Sequence, residues 1–101
     1  MRIGVYGGTF DPIHLGDLVG AEEARLVVPL DRVLFVPAGH PPHKPASVAA
    51  GAADRLEMVR LAIADHPAFA VSPLEVQRSG PSYTVETVRT LVAEHPLDQL
   101  V

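Results

Sequence analysis

The sequence predicts an α/β protein, a three-layer α/β/α sandwich with a parallel sheet in the middle. Three short apolar segments alternate with three helical patterns, in the order β-α-β-α-β-α. The second apolar segment, residues 32–36, is continuous rather than alternating, which is typical of a parallel strand buried on both faces. Strand–helix–strand units form right-handed crossovers, so three strands would make half of a doubly wound sheet.

Size and composition indicate a single domain over residues 1–101. The chain has 48% hydrophobic and 20% charged residues and no cysteine, which excludes disulfides and thiolate metal sites. A formal net charge of −4 argues against a broad surface for nucleic acid. No apolar run reaches the roughly 18 residues needed to span a bilayer, and no signal peptide is evident. We therefore expect a cytoplasmic protein whose partner is neither a nucleic acid polymer nor a membrane.

The first βα unit begins with a short buried strand over residues 2–6, followed by a tight turn at Gly7-Gly8. Helical periodicity then runs from His14 to about Val28. Two apolar faces are predicted on this helix: Leu15, Leu18, Val19 and Leu26 on one, and Ala21, Ala24 and Val28 on the other. Glu22 lies within the first face, where it is expected to pair with Arg25 or Arg2.

The second βα unit begins with the strand over residues 32–36, and residues 40–45 are a proline-rich loop without helix or strand. The next helix is predicted from Ala52 to about His66. Its buried face is predicted to contain Leu56, Val59 and Ile63, and its outer face Arg55, Glu57 and Arg60.

The third unit begins with a short strand over residues 69–71, and residues 73–76 are predicted to continue as extended chain. Ser82 is a candidate N-cap for a third helix. The inner face of that helix is predicted to contain Val85, Val88, Leu91 and Val92. Residues 98–101 look like the beginning of a fourth strand that does not form. The edge of the first strand would then be open, so we expect homo-oligomers through that edge.

The carboxyl ends of the three strands are the expected binding edge, because ligands of such sheets bind there. The three loops at this edge, residues 7–17, 37–44 and 76–84, carry glycines before a helix, two histidines with Lys44, and a Gly-Pro-Ser-Tyr-Thr helix start. A glycine turn before a helix presents free N–H groups and the positive end of the helix dipole to an anion. The three loops together predict a site for a phosphate-bearing small molecule.

Simpler interpretations exist for each feature. Gly7-Gly8 is also compatible with a plain turn, His14 with a structural role, and His43-Lys44 with a solvated loop tip. The chain lacks both the G-x-G-x-x-G and the P-loop patterns. The spacing of His14, His40 and His43 fits no standard zinc site, so no metal site is predicted in the protein.

Three motifs carry a family resemblance. Residues 7–16, Gly-Gly-Thr-Phe-Asp-Pro-Ile-His-Leu-Gly, resemble the first signature of the nucleotidylyltransferase superfamily. Residues 36–44 and 80–87 narrow the resemblance to the bacterial nicotinate-nucleotide adenylyltransferases. The resemblance implies the N-terminal half of a Rossmann-like fold. A related enzyme that adenylylates another phosphate, such as phosphopantetheine, is disfavoured by the second and third motifs.

The resemblance implies the transfer of AMP from ATP to nicotinate mononucleotide, with Mg²⁺ accompanying ATP and without a covalent enzyme intermediate. It implies catalytic roles for His14 and Lys44. The residues implied to bind ATP are Gly8, Thr9, Phe10, His14, Gly16 and Asp17. The residues implied to bind the mononucleotide are Gly7, Gly8, His43, Lys44, Ser82, Tyr83 and Thr84. Arg55 is a weaker candidate.

The sequence departs from the family pattern in two ways. The family has a second histidine where this chain has Asp17, and a carboxylate there would repel phosphate and weaken turnover. Alternatively, Asp17 favours the helix N-terminus or holds Mg²⁺ through water. The later Gly-x-Asp loop and Ser-Ser-Thr-like motif of the family are also absent. The competing hypothesis is therefore a non-catalytic, nucleotide-binding or self-assembling half-domain.

Overall fold

The computed structural model describes residues 1–39, 51–78 and 83–101. The elements in chain order are β1 (Arg2–Gly8), α1 (Leu15–Val27), β2 (Arg32–Pro37), α2 (Ala52–Ile63), β3 (Phe69–Val71), α3 (Leu74–Gln77), α4 (Thr84–Glu94) and β4 (Gln99–Leu100). All strands are parallel, in the order β3-β2-β1-β4. The predicted α/β class is confirmed. The predictions for His40, His43, Lys44 and Ser82 lie outside the described residues.

The largest core lies between the sheet and helices α1 and α2. Its centre is Phe35 on β2, whose ring stacks on Tyr6 and meets the edge of Phe69, with centroid distances of 5.4 and 5.1 Å. The buried members of the cluster are Phe10, Ala21, Leu30, Val33, Phe35, Val59, Ile63 and Phe69. No helix in the described parts of the chain is long and apolar enough to cross a membrane.

Strand β1 is longer than predicted. Gly7 and Gly8 continue the strand, paired with Val36 and Pro37 of β2, so the chain turns after Gly8 rather than at it. The amide of Ala38 donates to the carbonyl of Gly8 over 2.9 Å, which extends the pairing beyond β2. The two glycines therefore lie on opposite faces of the sheet.

A fourth strand does form, and the prediction that it is missing was wrong. Gln99 and Leu100 pair with Arg2 and Ile3 of β1, and Val5 N donates to Val101 O over 2.9 Å. The N-terminal ammonium contacts Asp98 at 3.1 Å, which holds the start of β4 beside β1. Among the described residues, β4 and Val101 therefore cover the edge of β1 from Arg2 to Val5.

Residues 73–76 are not extended. Leu74–Gln77 form the short helix α3, because Ser72 Oγ accepts from Leu74 N at 3.3 Å and Pro73 O accepts from Gln77 N at 2.9 Å. A serine side chain that satisfies a free N–H group at a helix start competes with extended backbone.

The helix faces differ from those predicted on α1 and α4. On α4 the buried residues are Leu91, as predicted, and Thr87, which was not predicted. The three valines predicted on the inner face are exposed: Val85, Val88 and Val92. On α1 the buried residue is Ala21, and the predicted stripe is mostly exposed: Leu15, Val19 and Leu26. Ala21, from the second predicted face, belongs to the core, and the partly buried Leu18 and Val28 pack against that core. The pairing of Glu22 with Arg25 is confirmed, at 2.7 Å.

Helix α2 confirms the predicted buried face of Leu56, Val59 and Ile63. Arg55 was predicted on the outside, and this was wrong because the side chain is fully enclosed with partners from two loops.

Candidate functional site

A cleft of about 440 Å³ lies where β1 ends and α1 begins. It is lined by Tyr6, Gly8, Thr9, Phe10, Asp11, Pro12, His14 and Asp17. Five residues that the resemblance assigned to ATP therefore come together around one space: Gly8, Thr9, Phe10, His14 and Asp17. The sixth, Gly16, is exposed in the first turn of α1.

The N-terminus of α1 opens into this cleft. His14 is the N-cap residue, with extended backbone angles, and its side chain is 71% exposed. Asp17 N donates to His14 O at 3.0 Å. Among residues 1–39, 51–78 and 83–101, the N–H groups of Leu15 and Gly16 donate to no backbone carbonyl. Two free amides, the helix dipole and a solvent-facing imidazole together suit an anion such as phosphate.

Asp17 is held by three groups at the same helix end. Its carboxylate accepts from His14 N at 3.1 Å and from the Tyr6 hydroxyl at 3.2 Å. Its Oδ2 also lies 3.5 Å from His14 Nδ1. Burial raises the pKa of the Tyr6 hydroxyl, and the negative charge and hydrogen bond of Asp17 raise it further. Asp17 therefore has the structural role at the helix N-terminus that was one of its predicted alternatives.

Phe10 anchors the loop after β1 to the hydrophobic core. Its backbone has φ of 51°, in the left-handed region, which costs a residue with a Cβ roughly 1–2 kcal/mol. The ring is buried between Tyr6 and Phe35, with centroid distances of 5.5 and 5.8 Å. A Cβ on Gly8 would lie 3.2 Å from this ring, so the glycine leaves room for it. Phe10 thus lines the cleft mainly as support for the loop.

The loop after β2 is joined to the first loop by Arg55. One guanidinium nitrogen donates to Thr9 O at 2.8 Å and to Ala38 O at 2.5 Å, and the other donates to Gly39 O at 3.1 Å. The helical pattern predicted Arg55 on the outer face of α2 with Glu57 and Arg60, and the resemblance made it only a weaker candidate for the site.

A second cavity, of about 330 Å³, lies on the other face of the sheet. It joins Gly7 to Thr84 at the start of α4 and includes Glu75, Thr87 and Leu91. The neighbouring Tyr83 is the N-cap of α4, and its side chain is 51% exposed. Gly7 and Thr84, both assigned by resemblance to the mononucleotide, are therefore brought together.

Thr87 connects α4 to the chain before it. The hydroxyl donates to a Glu75 carboxylate oxygen at 2.7 Å and accepts from Arg78 at 3.1 Å. The Thr87 side chain is buried. Its burial was not predicted, because the inner face of the helix was assigned to the valines of α4 and Leu91. The spacing of Thr87 and Leu91, four residues apart, is the signal that could have identified it.

Among residues 1–39, 51–78 and 83–101, no three His, Asp or Glu side chains come together in a way that could hold a metal ion. Asp17 does present to the cleft the oxygen ligands that Mg²⁺ prefers. Since these oxygens already accept from Tyr6 and His14, they fit an ion held through water.

The cytidylyltransferase-like family model matches residues 5–101. The chain belongs to that family. A probable nicotinate-nucleotide adenylyltransferase of Synechococcus sp. (strain JA-3-3Ab) is 59% identical over 95 residues, which cover 94% of this chain and 46% of that protein. Its counterpart from Thermus thermophilus is 55% identical over 100 residues, covering 99% of this chain and 53% of that protein. The chain spans about half the length of the curated relatives it matches.

Solved structures of the same architecture support the fold. Plasmodium falciparum nicotinic acid mononucleotide adenylyltransferase complexed with NaAD matches with a TM-score of 0.81 at 20% identity. The match covers 98% of this chain and 49% of that protein. The cytidylyltransferase-like chain described here thus has the α/β fold of those structures.

Proposed function

We propose that this chain carries the ATP- and mononucleotide-binding part of a nicotinate-nucleotide adenylyltransferase, which transfers AMP from ATP to nicotinate mononucleotide. The observation that carries the proposal is the cleft between β1 and α1, which is lined by Gly8, Thr9 and the exposed His14 at the start of α1. The high identity to proteins named for this activity supports the choice of substrates.

The reaction requires alignment and charge neutralisation rather than a protein nucleophile. A phosphate oxygen of nicotinate mononucleotide forms a bond to the α-phosphorus of ATP. The bond from that phosphorus to the bridging oxygen of the β-phosphate breaks, and pyrophosphate leaves with the electron pair. His14 and the amides of Leu15 and Gly16 would stabilise the negative oxygens during this exchange.

The mononucleotide is proposed to lie towards Gly7, Tyr83 and Thr84, across the end of β1 from the triphosphate. The start of α4 suits an anionic group such as the nicotinate carboxylate, for the same reason that α1 suits phosphate. His43, Lys44 and Ser82 keep their predicted roles in binding the mononucleotide, and Lys44 its predicted catalytic role.

Mg²⁺ is proposed to arrive bound to ATP, where it would neutralise triphosphate oxygens. In the alternative role predicted for Asp17, its carboxylate would hold this Mg²⁺ through water, and Asp17→His would then weaken ATP binding instead of strengthening it. We propose a cytoplasmic location, where ATP is supplied. Self-association through the edge of the sheet also remains a proposal, although β4 pairs with Arg2 and Ile3 at the edge of β1. A strictly monomeric species in light scattering across a wide concentration range would contradict it.

A second candidate is a nucleotide-binding module without turnover. Asp17 favours it, because a carboxylate on the wall of the cleft repels phosphate oxygens.

Calorimetry distinguishes the candidates. We expect separate binding of ATP with Mg²⁺ and of nicotinate mononucleotide. His14→Asn keeps an N-cap side chain but removes the imidazole, and it should weaken ATP binding about tenfold. His95→Asn, the same substitution at the end of α4, should leave ATP binding unchanged. Binding of one ligand would favour the module, and binding of neither would contradict both candidates.

A further inference from the structure

Arg55 is a buried cation directly beneath the first two loops of the site. Only 1% of Arg55 is exposed to solvent. Arginine is almost never fully buried unless its charge has partners. Its guanidinium donates to Thr9 O in the first loop and to Ala38 O and Gly39 O in the second. One side chain therefore makes contacts with the backbone of both loops.

The geometry of these contacts requires a planar, forked donor. A guanidinium presents its N–H groups in fixed directions, whereas a lysine ammonium is a compact point charge on a flexible stem. Carbonyls 46 and 16–17 residues away in sequence accept from Arg55 at 2.5–3.1 Å. A change in the distance between the loops would break at least one of these bonds and leave a charge buried with fewer partners.

The contacts of Arg55 are reinforced on both sides. Ala38 N donates to Gly8 O at 2.9 Å, which holds the second loop against the first. Gly39 packs so closely on the Glu75 carbonyl that a Cβ at Gly39 would overlap it. Ala38 and Gly39, at the start of the second loop, are thus held between the first loop and α3, and Arg55 donates to the carbonyls of both residues.

We propose that Arg55 is a positioning residue, which fixes Thr9 against Ala38 and Gly39 and so sets the shape of the cleft that receives polyphosphate. The inference deepens the proposed function and rests on it for the identity of the ligand. Arg55 acts through the backbone carbonyls of the loops. Its guanidinium donates to these carbonyls, whereas the proposed phosphate site lies at the start of α1.

The test compares Arg55→Lys with Arg60→Lys, the same substitution at an exposed arginine five residues further along α2. The Arg60 guanidinium lies 3.6 Å from the Glu57 carboxylate. Binding of inorganic tripolyphosphate with Mg²⁺ is measured by calorimetry at a temperature where both variants are folded. Amide spectra report the positions of Thr9, Phe10 and Gly39.

We expect Arg55→Lys to shift these loop amides and to weaken tripolyphosphate binding about tenfold or more, while Arg60→Lys changes neither. A role of Arg55 in stability alone predicts a lower Tm with unchanged affinity of the folded protein, and that result would overturn the proposal. Affinity retained despite shifted amides would overturn it as well.

The parent protein provides a second readout that does not depend on the folding of a variant. With ¹⁵N-labelled arginine, the Arg55 guanidinium signals should exchange slowly and should shift on addition of tripolyphosphate, unlike those of Arg60. Fast-exchanging Arg55 signals would contradict the proposal. If the parent binds no tripolyphosphate, the proposed function fails. The amide shifts of the loops in Arg55→Lys and the exchange rates of the Arg55 guanidinium then decide whether Arg55 fixes the loops.

Discussion

The hydroxyl of Tyr6 donates a hydrogen bond of 3.2 Å to the carboxylate of Asp17, and so joins β1 to the first turn of α1. The same carboxylate accepts from His14 N at 3.1 Å, which satisfies one free amide at the helix start. Asp17 therefore stabilises the N-terminus of α1 while it places negative charge beside the proposed phosphate site. These two effects have opposite consequences for folding and for ligand binding.

Asp17→His should strengthen ATP binding and lower stability. Two like charges 4 Å apart at an effective dielectric of 20 repel by about 4 kcal/mol, an upper figure at a partly exposed site. Removal of that repulsion should raise the ATP affinity at least about tenfold. Loss of the carboxylate at the helix start should cost roughly 1 kcal/mol of unfolding free energy.

Calorimetry and urea unfolding measure the two effects of this substitution. Asp17→Asn serves as the control that removes the charge without adding an imidazole. Equal ATP affinities for the parent and both variants would contradict the repulsion and leave Asp17 with its structural role alone.

Tyr6 should titrate above the ordinary tyrosine pKa of 10.0. Burial is the main cause and Asp17 adds to it, so Asp17→Asn should lower the pKa of Tyr6 only in part. Because the folded-state pKa is raised, the associated stability is fully present below pH 10 and is lost as the pH rises through the raised value. Absorbance titration at alkaline pH checks this, and a normal Tyr6 pKa would rule out the buried hydrogen bond.

Glu22 should keep its charge to unusually low pH. The hydrogen bond from Arg25 is the main cause that lowers the pKa of Glu22 from 4.5 to about 2, with a further contribution from His66. Because the folded-state pKa is depressed, the stability is present above the unfolded value and is lost as the pH falls from about 4.5 towards 2. NMR titration of the Glu22 carboxyl measures it directly.

The matched control for Glu22 is its exposed neighbour Glu23. Glu22→Gln should flatten the dependence of Tm on pH between 5 and 2, because the depressed carboxyl is gone, whereas Glu23→Gln should leave the profile of the parent. His66 Nδ1 accepts from Ala68 N at 3.2 Å, so Nε2 is the nitrogen that donates to Glu22. Identical profiles for the two variants would refute the network.

Thr87→Val should destabilise the fold more than Thr90→Val on the same helix. Thr87 is 4% exposed, and its hydroxyl has partners in Glu75 and Arg78. The Thr90 hydroxyl, by contrast, donates only to the Glu86 carbonyl one turn before it among the described residues. Thr87→Val would leave the side chains of Glu75 and Arg78 without their hydrogen bonds to the Thr87 hydroxyl, which should lower the free energy of unfolding by about 1–3 kcal/mol. Thr90→Val should leave the free energy of unfolding almost unchanged. Equal midpoints in urea for the two variants would show that the contact is unimportant.

Much of the fold follows from the alternation of apolar and helical segments. Because residues 33–36 are continuously apolar and Phe69–Val71 follows a helix, a parallel sheet was predictable. β4 was underestimated, because two residues carry little pattern and their pairing depends on Asp98 and the N-terminus. The start of helix α3 is stabilised by the side chain of Ser72. Residue propensities alone do not predict such a contact.

The site was predictable where function depends on local geometry. Gly8, Thr9 and His14 lie within one turn of chain and line one cleft. Helical spacing could have shown that Thr87 is buried, but the partners of Arg55 and Thr87 were not predictable, because they lie on other elements. Helical periodicity does not distinguish a buried arginine from an exposed one. Tertiary contacts determine whether the side chain is buried.

Pyrophosphate release tests the central claim most directly. The parent chain and Asp17→His are incubated with ATP, Mg²⁺ and nicotinate mononucleotide, and His14→Asn serves as the variant without the imidazole. The account predicts release that requires both substrates, rises in Asp17→His and falls in His14→Asn. If neither the parent nor Asp17→His releases pyrophosphate under conditions where both ligands bind, this chain is a nucleotide-binding module and not a transferase.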